Sequence, residues 1–578
     1  MRKAWIILSL VLLCGTVTGA TTKDSPGDDY WWPVQQPPRN IVVCPVDIDN
    51  IPEHMLAESI SGLAAQAVND GKSDEMVWLK NVNPRPHRKM YEGYDAYDAM
   101  VKALHLTVRG EFDPWALVKR YAGRGIIKGY VLFEQDRSKK VAYPAIREGM
   151  NVSSNVATVI ASLVKGVLIE KSYEAKAQSL GLKKLADATT MSPEECFEKY
   201  KDQLNNKMVL AVDPQAGENR DEAIAQKSMV IYGVGPFEEK VMEWVAPLAP
   251  VVGWNCGDEK THTSLATRWG HFNTATYYIL NLPLLSAGSW NVPLKKLPAI
   301  DPASIHYDQG KYHSFVTTDG DNAHWFCEGT FFKEYWDISS RVSIPMSWTA
   351  CPSSLSMIDP YVWNHLVETA QGASMMEYGG GYQYPDLFAK DRPNTEELLR
   401  QFARRINEHM KKTGVTVFGF ICMNRKSPEA MRAYKIFAEE IENLTGMMAV
   451  QYSPYEDGKG EVIWVKNKKG VDIPVVCPKY AVWAGLKWNS AGNPDHIAAL
   501  VNADASQPGF MATSSIVHVW SYFTRDENGN VHDAKAGDAG AVRGVTPVAW
   551  GIEKLDSNIR VVPYEELLWR IRHEHENN

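Results

Sequence analysis

Carboxyl and amide side chains collect in one short segment, Asp319-Gly320-Asp321-Asn322, directly after an apolar run with strand character. Glu377 ends a second apolar run further along the chain. Most glycoside hydrolases cleave their bond with two carboxyl groups, one an acid and the other a nucleophile or base. Alternation along a strand places Asp319 and Asp321 on one side, and Glu377 comes from another strand. We therefore predict that one of these aspartates works with Glu377 as a catalytic pair.

A glycine-rich loop with aromatic rings follows Glu377 and has the sequence Gly379-Gly380-Gly381-Tyr382-Gln383-Tyr384-Pro385. Glycine permits positive φ and lets another molecule approach the main chain closely. Tyrosine offers an apolar face with a polar tip. Such a loop beside carboxylates favours a sugar ligand over a nucleotide or a hydrophobic ligand. We predict that four of its residues contact substrate: Gly379, Gly381, Tyr382 and Tyr384.

The elements that would position these residues alternate between strands and helices over residues 308–578. Seven or eight such units predict a C-terminal (β/α) barrel of the TIM type, whose active site lies at the carboxyl ends of its strands. Arg341 to Trp348 is one of the predicted strands. The other candidate substrate-binding residues at predicted strand ends are Asn322, Trp348, Asn424, Trp483, His518 and Trp520.

Strands and helices also alternate before the barrel, which predicts α/β modules with parallel sheets. We place one module at residues 21–115, a second at 116–235, and a third small module with a linker at 236–307. No GxGxxG or Walker motif follows any of these strands, so we expect no nucleotide cofactor.

The first 20 residues have the pattern of a secretory signal peptide. Arg2 and Lys3 precede an apolar run, and the small residues Gly19 and Ala20 end it. This pattern predicts export to the periplasm or the cell exterior, with cleavage after Ala20. Cys14 follows a leucine, whereas a lipobox has a small residue there, so we expect no lipid anchor. No later run of apolar residues is long enough to predict a transmembrane segment.

Net charge and aromatic content indicate which class of molecule the protein binds. The net charge of -8 argues against nucleic acid as a partner. The 19 tryptophans and 25 tyrosines supply rings on which sugars stack, although most such rings belong to protein cores. The cysteines form no CxxC motif and no cluster with histidines, so we expect no metal and no other cofactor.

Each candidate has a second interpretation. Asp319 to Asn322 could be a plain turn, or its paired aspartates could hold a divalent cation. Glu377 could form an ion pair with an arginine. His518 could be a core histidine with its hydrogen bonds satisfied. The rings after the last predicted strands could be packing at the end of the barrel.

The heptapeptide at 379–385 matches the motif that names the GxGYxYP putative glycoside hydrolases, a family of largely secreted bacterial proteins. Gly379, Gly381, Tyr382, Tyr384 and Pro385 occupy the fixed positions of the motif. The run from Thr318 to Asn322 is similar to that family too, as is the order of small N-terminal domains before a barrel-like C-terminal domain. The resemblance covers most of the mature chain and implies an O-glycosyl hydrolase acting on a carbohydrate.

Two alternative functions remain open at this point. A glycan-binding protein without catalysis would use the same aromatic loops. A metal-dependent carbohydrate esterase would combine an aspartate after the first barrel strand with a His-x-x-x-His pair, and none of the 15 histidines forms that pair.

Overall fold

The computed structural model describes residues 26–27, 29–83, 96–135, 151–327, 331–370, 372–452, 458–486 and 488–577. The predicted signal peptide lies outside the described residues. The described chain is a mixed α/β structure with several parallel sheets.

Three small parallel sheets form the part of the chain before residue 308, as the alternation predicted. The first has the order β2-β1-β3, the second β5-β4-β6 and the third β10-β9-β7-β8. Their strands are β1 (Asn40–Val46), β2 (Glu75–Asn81), β3 (Thr107–Glu111), β4 (Gly129–Phe133), β5 (Gly166–Glu170), β6 (Lys184–Asp187), β7 (Asn205–Ala211), β8 (Ser228–Ile231), β9 (Pro250–Gly253) and β10 (Phe272–Thr274). The predicted module boundaries stay a prediction.

Ten α-helices among the described residues connect and cover these sheets: α1 (Ile51–Asn69), α2 (Ala96–Ala103), α3 (Pro114–Gly123), α4 (Ser153–Val164), α5 (Glu174–Ser179), α6 (Pro193–Tyr200), α7 (Arg220–Gln226), α8 (Pro236–Trp244), α9 (Glu259–Arg268) and α10 (Leu282–Leu285). Helix α1 is buried at Pro52 and from His54 to Val68 because it packs against both β5 and α7. It therefore joins the first three sheets into one packed layer around a shared core.

One large sheet dominates the rest of the chain. Its strands are β11 (Lys311–Thr317), β12 (Ser347–Ala350), β13 (Ser374–Glu377), β14 (Val417–Cys422), β15 (Gly446–Gln451), β16 (Val462–Lys466), β17 (Asp472–Val476), β18 (Tyr480–Val482), β19 (Ala491–Gly492), β20 (Met511–Val517) and β23 (Ile559–Val561), with a separate hairpin of β21 (Tyr522–Arg525) and β22 (Val531–Ala534). The order is β16-β17-β15-β14-β13-β12-β11-β20-β18-β19, with β23 paired to β11. All pairs are parallel except β16–β17.

The helices that follow these strands are α11 (Ala323–Cys327), α12 (Asp337–Val342), α13 (Pro352–Ile358), α14 (Pro360–Thr369), α15 (Thr395–Thr413), α16 (Pro428–Glu440), α17 (Pro494–Ala505), α18 (Val545–Ile552) and α19 (Tyr564–Asn577), with a π-helical turn at Phe332–Trp336. Helix α15 shows how sequence sets the packing. Its apolar positions, among them Leu399, Phe402 and Ile406, recur at helical spacing and are buried. Gly414 ends it in the left-handed conformation.

A complete TIM barrel is not confirmed. On both sides of β11 the strands follow one another in the order expected of a barrel. A closed barrel would also need β17 to pair with β18, and no such pairing occurs in the described sheet. These two strands are separated by only three residues, Cys477-Pro478-Lys479. Strand β17 pairs with β15, and β18 pairs with β20. The three-residue connection from β17 to β18 therefore spans the open side of a half-barrel sheet.

The predicted strand over Arg341 to Trp348 is wrong in its first half. Helix α12 continues to Val342, and Ser343 ends it with φ 52. Pro345 lacks the N–H that a strand ladder needs. The strand begins only at Ser347, because from there the backbone pairs with β13. None of the helices in the described part of the chain is long and apolar enough to cross a bilayer.

Candidate active site

A cavity of about 800 Å³ opens at the carboxyl ends of several strands of the large sheet. Its wall comes from two parts of the chain. Thr317 to Asn322 follows β11, while Trp254 and Glu259 follow β9 of the third small sheet. The site is therefore built between the C-terminal sheet and the region before it.

Asp319 lies in this cavity in a strained conformation. Its φ is 61, in the left-handed region that is uncommon for residues other than glycine. Thr318 Oγ1 donates to Asp319 Oδ2 at 2.5 Å, and the indole N–H of Trp520 donates to the same carboxylate. Burial raises the pKa of Asp319 to about 6, against the lowering effect of these two donors. Strain held beside a cavity is typical of functional residues.

Asp321 lines the same cavity but is only 4% exposed. Its Oδ2 is buried and has no hydrogen-bond partner among the described residues. Burial, together with the charges of Asp319 and Glu259, raises the pKa of Asp321 well above its usual value. Both effects disfavour the ionised form of Asp321. Gly320 between the aspartates is required by packing, because a Cβ there would lie 2.6 Å from the Cβ of Thr349.

Glu259 is the carboxyl group that sequence reasoning missed. It is the first residue of α9, whose N-cap Asp258 accepts a hydrogen bond from the N–H of Thr261 at 2.7 Å. Burial and the nearby charge of Asp319 raise the pKa of Glu259 to about 7, although a hydrogen bond from Tyr382 lowers it. The available signal was its position, since Gly257-Asp258-Glu259 follows a parallel strand directly.

Glu377 does not line this cavity. It is fully buried, and its two oxygens accept hydrogen bonds from the N–H of Ser353 at 2.8 Å, the hydroxyl of Ser353 at 2.8 Å and the N–H of Gly380 at 2.9 Å. Burial raises the pKa of Glu377 despite these donors. The carboxylate thus ties the start of α13 to the glycine loop.

The glycine-tyrosine run attaches the large sheet to the third small sheet. Tyr382 and Asn273 of β10 exchange two backbone hydrogen bonds, with N···O distances of 2.7 and 2.9 Å. A Cβ on Gly381 would lie 2.2 Å from the carbonyl oxygen of Asn273. Gly380 has φ 76, and a Cβ there would lie 2.7 Å from the Trp31 ring. The glycines therefore allow two backbones to approach each other.

The predicted substrate contacts of this run are buried instead. Tyr382 is 1% exposed and Tyr384 is 0% exposed. The hydroxyl of Tyr384 donates to the hydroxyl of Tyr382 at 3.5 Å, and Tyr382 in turn donates to Glu259. Neither these tyrosines nor Gly379 and Gly381 line the cavity. The run therefore lies outside the cavity and contacts it through Tyr382, which donates to the lining residue Glu259.

Four of the predicted binding residues do line the cavity: Asn322, Trp483, His518 and Trp520. The rings of Trp483 and His518 are stacked, with centroids 3.7 Å apart and planes at 4°. His518 Nδ1 lies 2.8 Å from Ser521 Oγ, and burial lowers the pKa of His518 to about 3, so this imidazole is neutral. Trp520 stays 38% exposed.

Two other predicted binding residues lie elsewhere. Trp348 is fully buried among the rings of Phe331 and Trp336. Asn424 is exposed and donates its backbone N–H to Asp386 at 2.8 Å. The cavity has further rings that are not among the predicted binding residues, namely Trp254, Tyr277, Tyr378, Tyr452 and Trp488. Within the described ranges, no cluster of histidine, cysteine, aspartate and glutamate has the geometry to hold a metal ion.

Comparison with known proteins agrees with the predicted resemblance. Residues 310–528 match the family model described as GxGYxYP putative glycoside hydrolase C-terminal domain, which confirms the resemblance over that range. A crystal structure of a putative hydrolase from Bacteroides thetaiotaomicron VPI-5482 is similar, with a TM-score of 0.74 over 95% of this chain and 98% of that chain. At 19% sequence identity this likeness shows a shared fold. No curated protein matches the chain.

Proposed function

We propose that the protein is a glycoside hydrolase that cleaves a carbohydrate in the 800 Å³ cavity, at the mouth of the barrel-like sheet. One observation carries the proposal. Asp319, Asp321 and Glu259 share one cavity rich in aromatic rings, and the pKa of each is raised. Perturbed carboxyl groups in a cleft are typical of acid–base catalysis.

The three carboxyl groups divide into two roles. Asp319, with a pKa of about 6, is mostly ionised at neutral pH and acts as nucleophile or base. Glu259 has the higher pKa, about 7, and the pKa of Asp321 is raised well above its usual value by burial. Glu259 is only partly buried, whereas Asp321 is 4% exposed, so Glu259 is better placed to give its proton to a leaving group. We assign Glu259 as the general acid.

Asp321 is the buried neighbour of the pair, and burial disfavours its ionised form. An ionised Asp321 would add a second negative charge beside Asp319 and make both harder to ionise. The raised pKa of Asp321 therefore favours the state in which Asp319 carries the negative charge that the chemistry needs. This division replaces the pairing with Glu377, whose oxygens are already occupied by Ser353 and Gly380.

Sugar binding is supplied by the rings of the cavity. Exposed Trp520 contacts both the cavity and Asp319, and the stacked pair of Trp483 and His518 forms another part of the wall. Flat apolar faces with polar edges match the faces of a sugar ring. With the predicted signal peptide, this supports action on a glycan in the periplasm or outside the cell.

A glycan panel with product analysis tests this function. We expect the wild type to release sugar from at least one glycan, and Asp319→Asn and Glu259→Gln each to lower turnover by about 10²–10⁴-fold. Glu239→Gln is the matched control, because Glu239 lies on α8 outside the cavity and pairs with Arg268. Binding of a glycan without any product would favour the non-catalytic alternative. Stoichiometric zinc with deacetylation would favour the esterase.

A further inference from the structure

A second cavity of about 380 Å³ lies next to the first, at the carboxyl ends of β7 and β8. The two cavities share the rings of Trp254 and Tyr277, whose centroids are 6.1 Å apart. These two rings therefore form a wall that is common to both cavities. Its other lining residues include Asp213, Gln215, Tyr232 and Tyr278.

One backbone segment, residues 275–279, connects the two cavities. At one end, Ala275 donates its N–H to the carbonyl of Asp321 at 3.3 Å. At the other end, Thr276 Oγ1 donates to Asn219 Oδ1 at 2.5 Å, and Asn219 Nδ2 donates to the carbonyls of Thr276 and Ile279 at 3.0 and 3.1 Å. These bonds hold Tyr277 and Tyr278 in a fixed position relative to Asp321.

The chemistry of the second cavity is that of a sugar site. Tyr278 is 38% exposed, and its ring centroid lies 4.2 Å from that of Tyr277 and 5.4 Å from that of His324. Polar groups line the same cavity as these rings. Tyr232 donates its hydroxyl to Asp213 at 3.3 Å, and Asp213 also accepts from the N–H of Gln215 at 2.8 Å. Ligand crevices at the carboxyl ends of parallel strands are a general property of α/β sheets.

We propose that the second cavity is a binding subsite for the distal sugar units of the same glycan that is cleaved in the first cavity. The inference rests on the proposed function. Asp213 and Glu218 line the second cavity, and Asp258 and Asp319 are among the four carboxyl residues that line the first. Because these groups repel anions, the substrate class is an uncharged oligosaccharide and not a uronate or sulfated chain.

The test compares short and long neutral oligosaccharides of one series. Tyr278→Ala and Gln215→Ala change only the second cavity. We expect each to raise KM on the long oligosaccharide, by up to about tenfold for the loss of the Tyr278 ring. On a disaccharide or an aryl glycoside, kcat/KM should stay within about twofold of the wild type. Tyr307→Ala is the matched control, since Tyr307 stacks on His573 away from both cavities.

Two results would overturn the subsite. Equal losses on short and long substrates would mean that Tyr278 only supports the fold. Equal wild-type affinity for short and long oligosaccharides, measured by calorimetry, would mean that no distal unit is bound. Calorimetry also separates the two proposals, because a preference for the longer chain that is lost in Tyr278→Ala would uphold the subsite even if no glycan were cleaved.

Discussion

The phenol of Tyr382 donates a hydrogen bond to the carboxyl group of Glu259, from behind the wall of the cavity. Tyr382 belongs to the glycine-tyrosine run, and Glu259 begins α9 in the region before the large sheet. The contact is held in place by the backbone pairing of Tyr382 with Asn273. The run therefore positions an acid that comes from another part of the chain.

Replacement of Tyr382 by phenylalanine should shift the pH profile in one direction. The phenol stabilises ionised Glu259 and lowers its pKa, so its removal raises that pKa. Because the acid must be protonated, activity is lost as pH rises through this pKa. The alkaline limb should move to higher pH in Tyr382→Phe. Tyr384→Phe, which loses only the more distant bond of 3.5 Å to Tyr382, is the control and should move it less. An unmoved alkaline limb in Tyr382→Phe would contradict this role.

The wild type should show a bell-shaped dependence of kcat/KM on pH. Asp319 must be ionised, so activity falls as pH decreases through about 6. Glu259 must be protonated, so activity falls as pH increases through about 7. The optimum therefore lies between these values. Initial rates measured from pH 4 to pH 9 check this, and a plateau that persists up to pH 9 would rule out Glu259 as the acid.

Substitution of Gly381 by alanine should weaken the attachment of the loop to β10. The added Cβ would lie 2.2 Å from the carbonyl oxygen of Asn273, so one backbone must move. We expect a loss of about 1–3 kcal/mol in the free energy of unfolding, seen as a lower Tm. Gly123→Ala is a suitable control, because a Cβ there meets no atom within 4 Å. Equal Tm values for the two variants would show that the close approach of Gly381 to Asn273 does not contribute to stability.

Glu377→Gln should act on stability instead of on chemistry. The amide group would face donors from Ser353 and Gly380, which leaves at least one hydrogen bond unmade in a buried site. A cost of about 1–3 kcal/mol follows, measurable by denaturant unfolding. At a temperature where the variant is folded, turnover should stay within about tenfold of the wild type. A loss as large as that of Asp319→Asn would restore Glu377 to the catalytic pair.

Local sequence was sufficient to find Asp319 and Asp321. Both follow β11 directly, so an apolar run and the residues after it determine where they lie. The alternation of elements also predicted the parallel sheets.

Glu259 and Glu377 depend on contacts between distant parts of the chain. Glu259 directly follows β9, but its place beside Asp319 also depends on the pairing of β10 with Tyr382, and no local pattern encodes that pairing. Glu377 ends a strand as predicted, but the start of α13 approaches from another part of the chain and takes both of its oxygens. The break between β17 and β18 likewise arises from which neighbours each strand pairs with.

The role of Glu259 as general acid is the central claim, and leaving-group dependence tests it most directly. Glu259→Gln is compared with the wild type on two glycosides of the same sugar, one with a nitrophenol leaving group and one with an alkyl alcohol. A nitrophenol departs without a proton, so we predict a small loss on the aryl glycoside and a loss of about 10²–10⁴-fold on the alkyl glycoside. Equal losses on both, or full activity on both, would contradict the assignment.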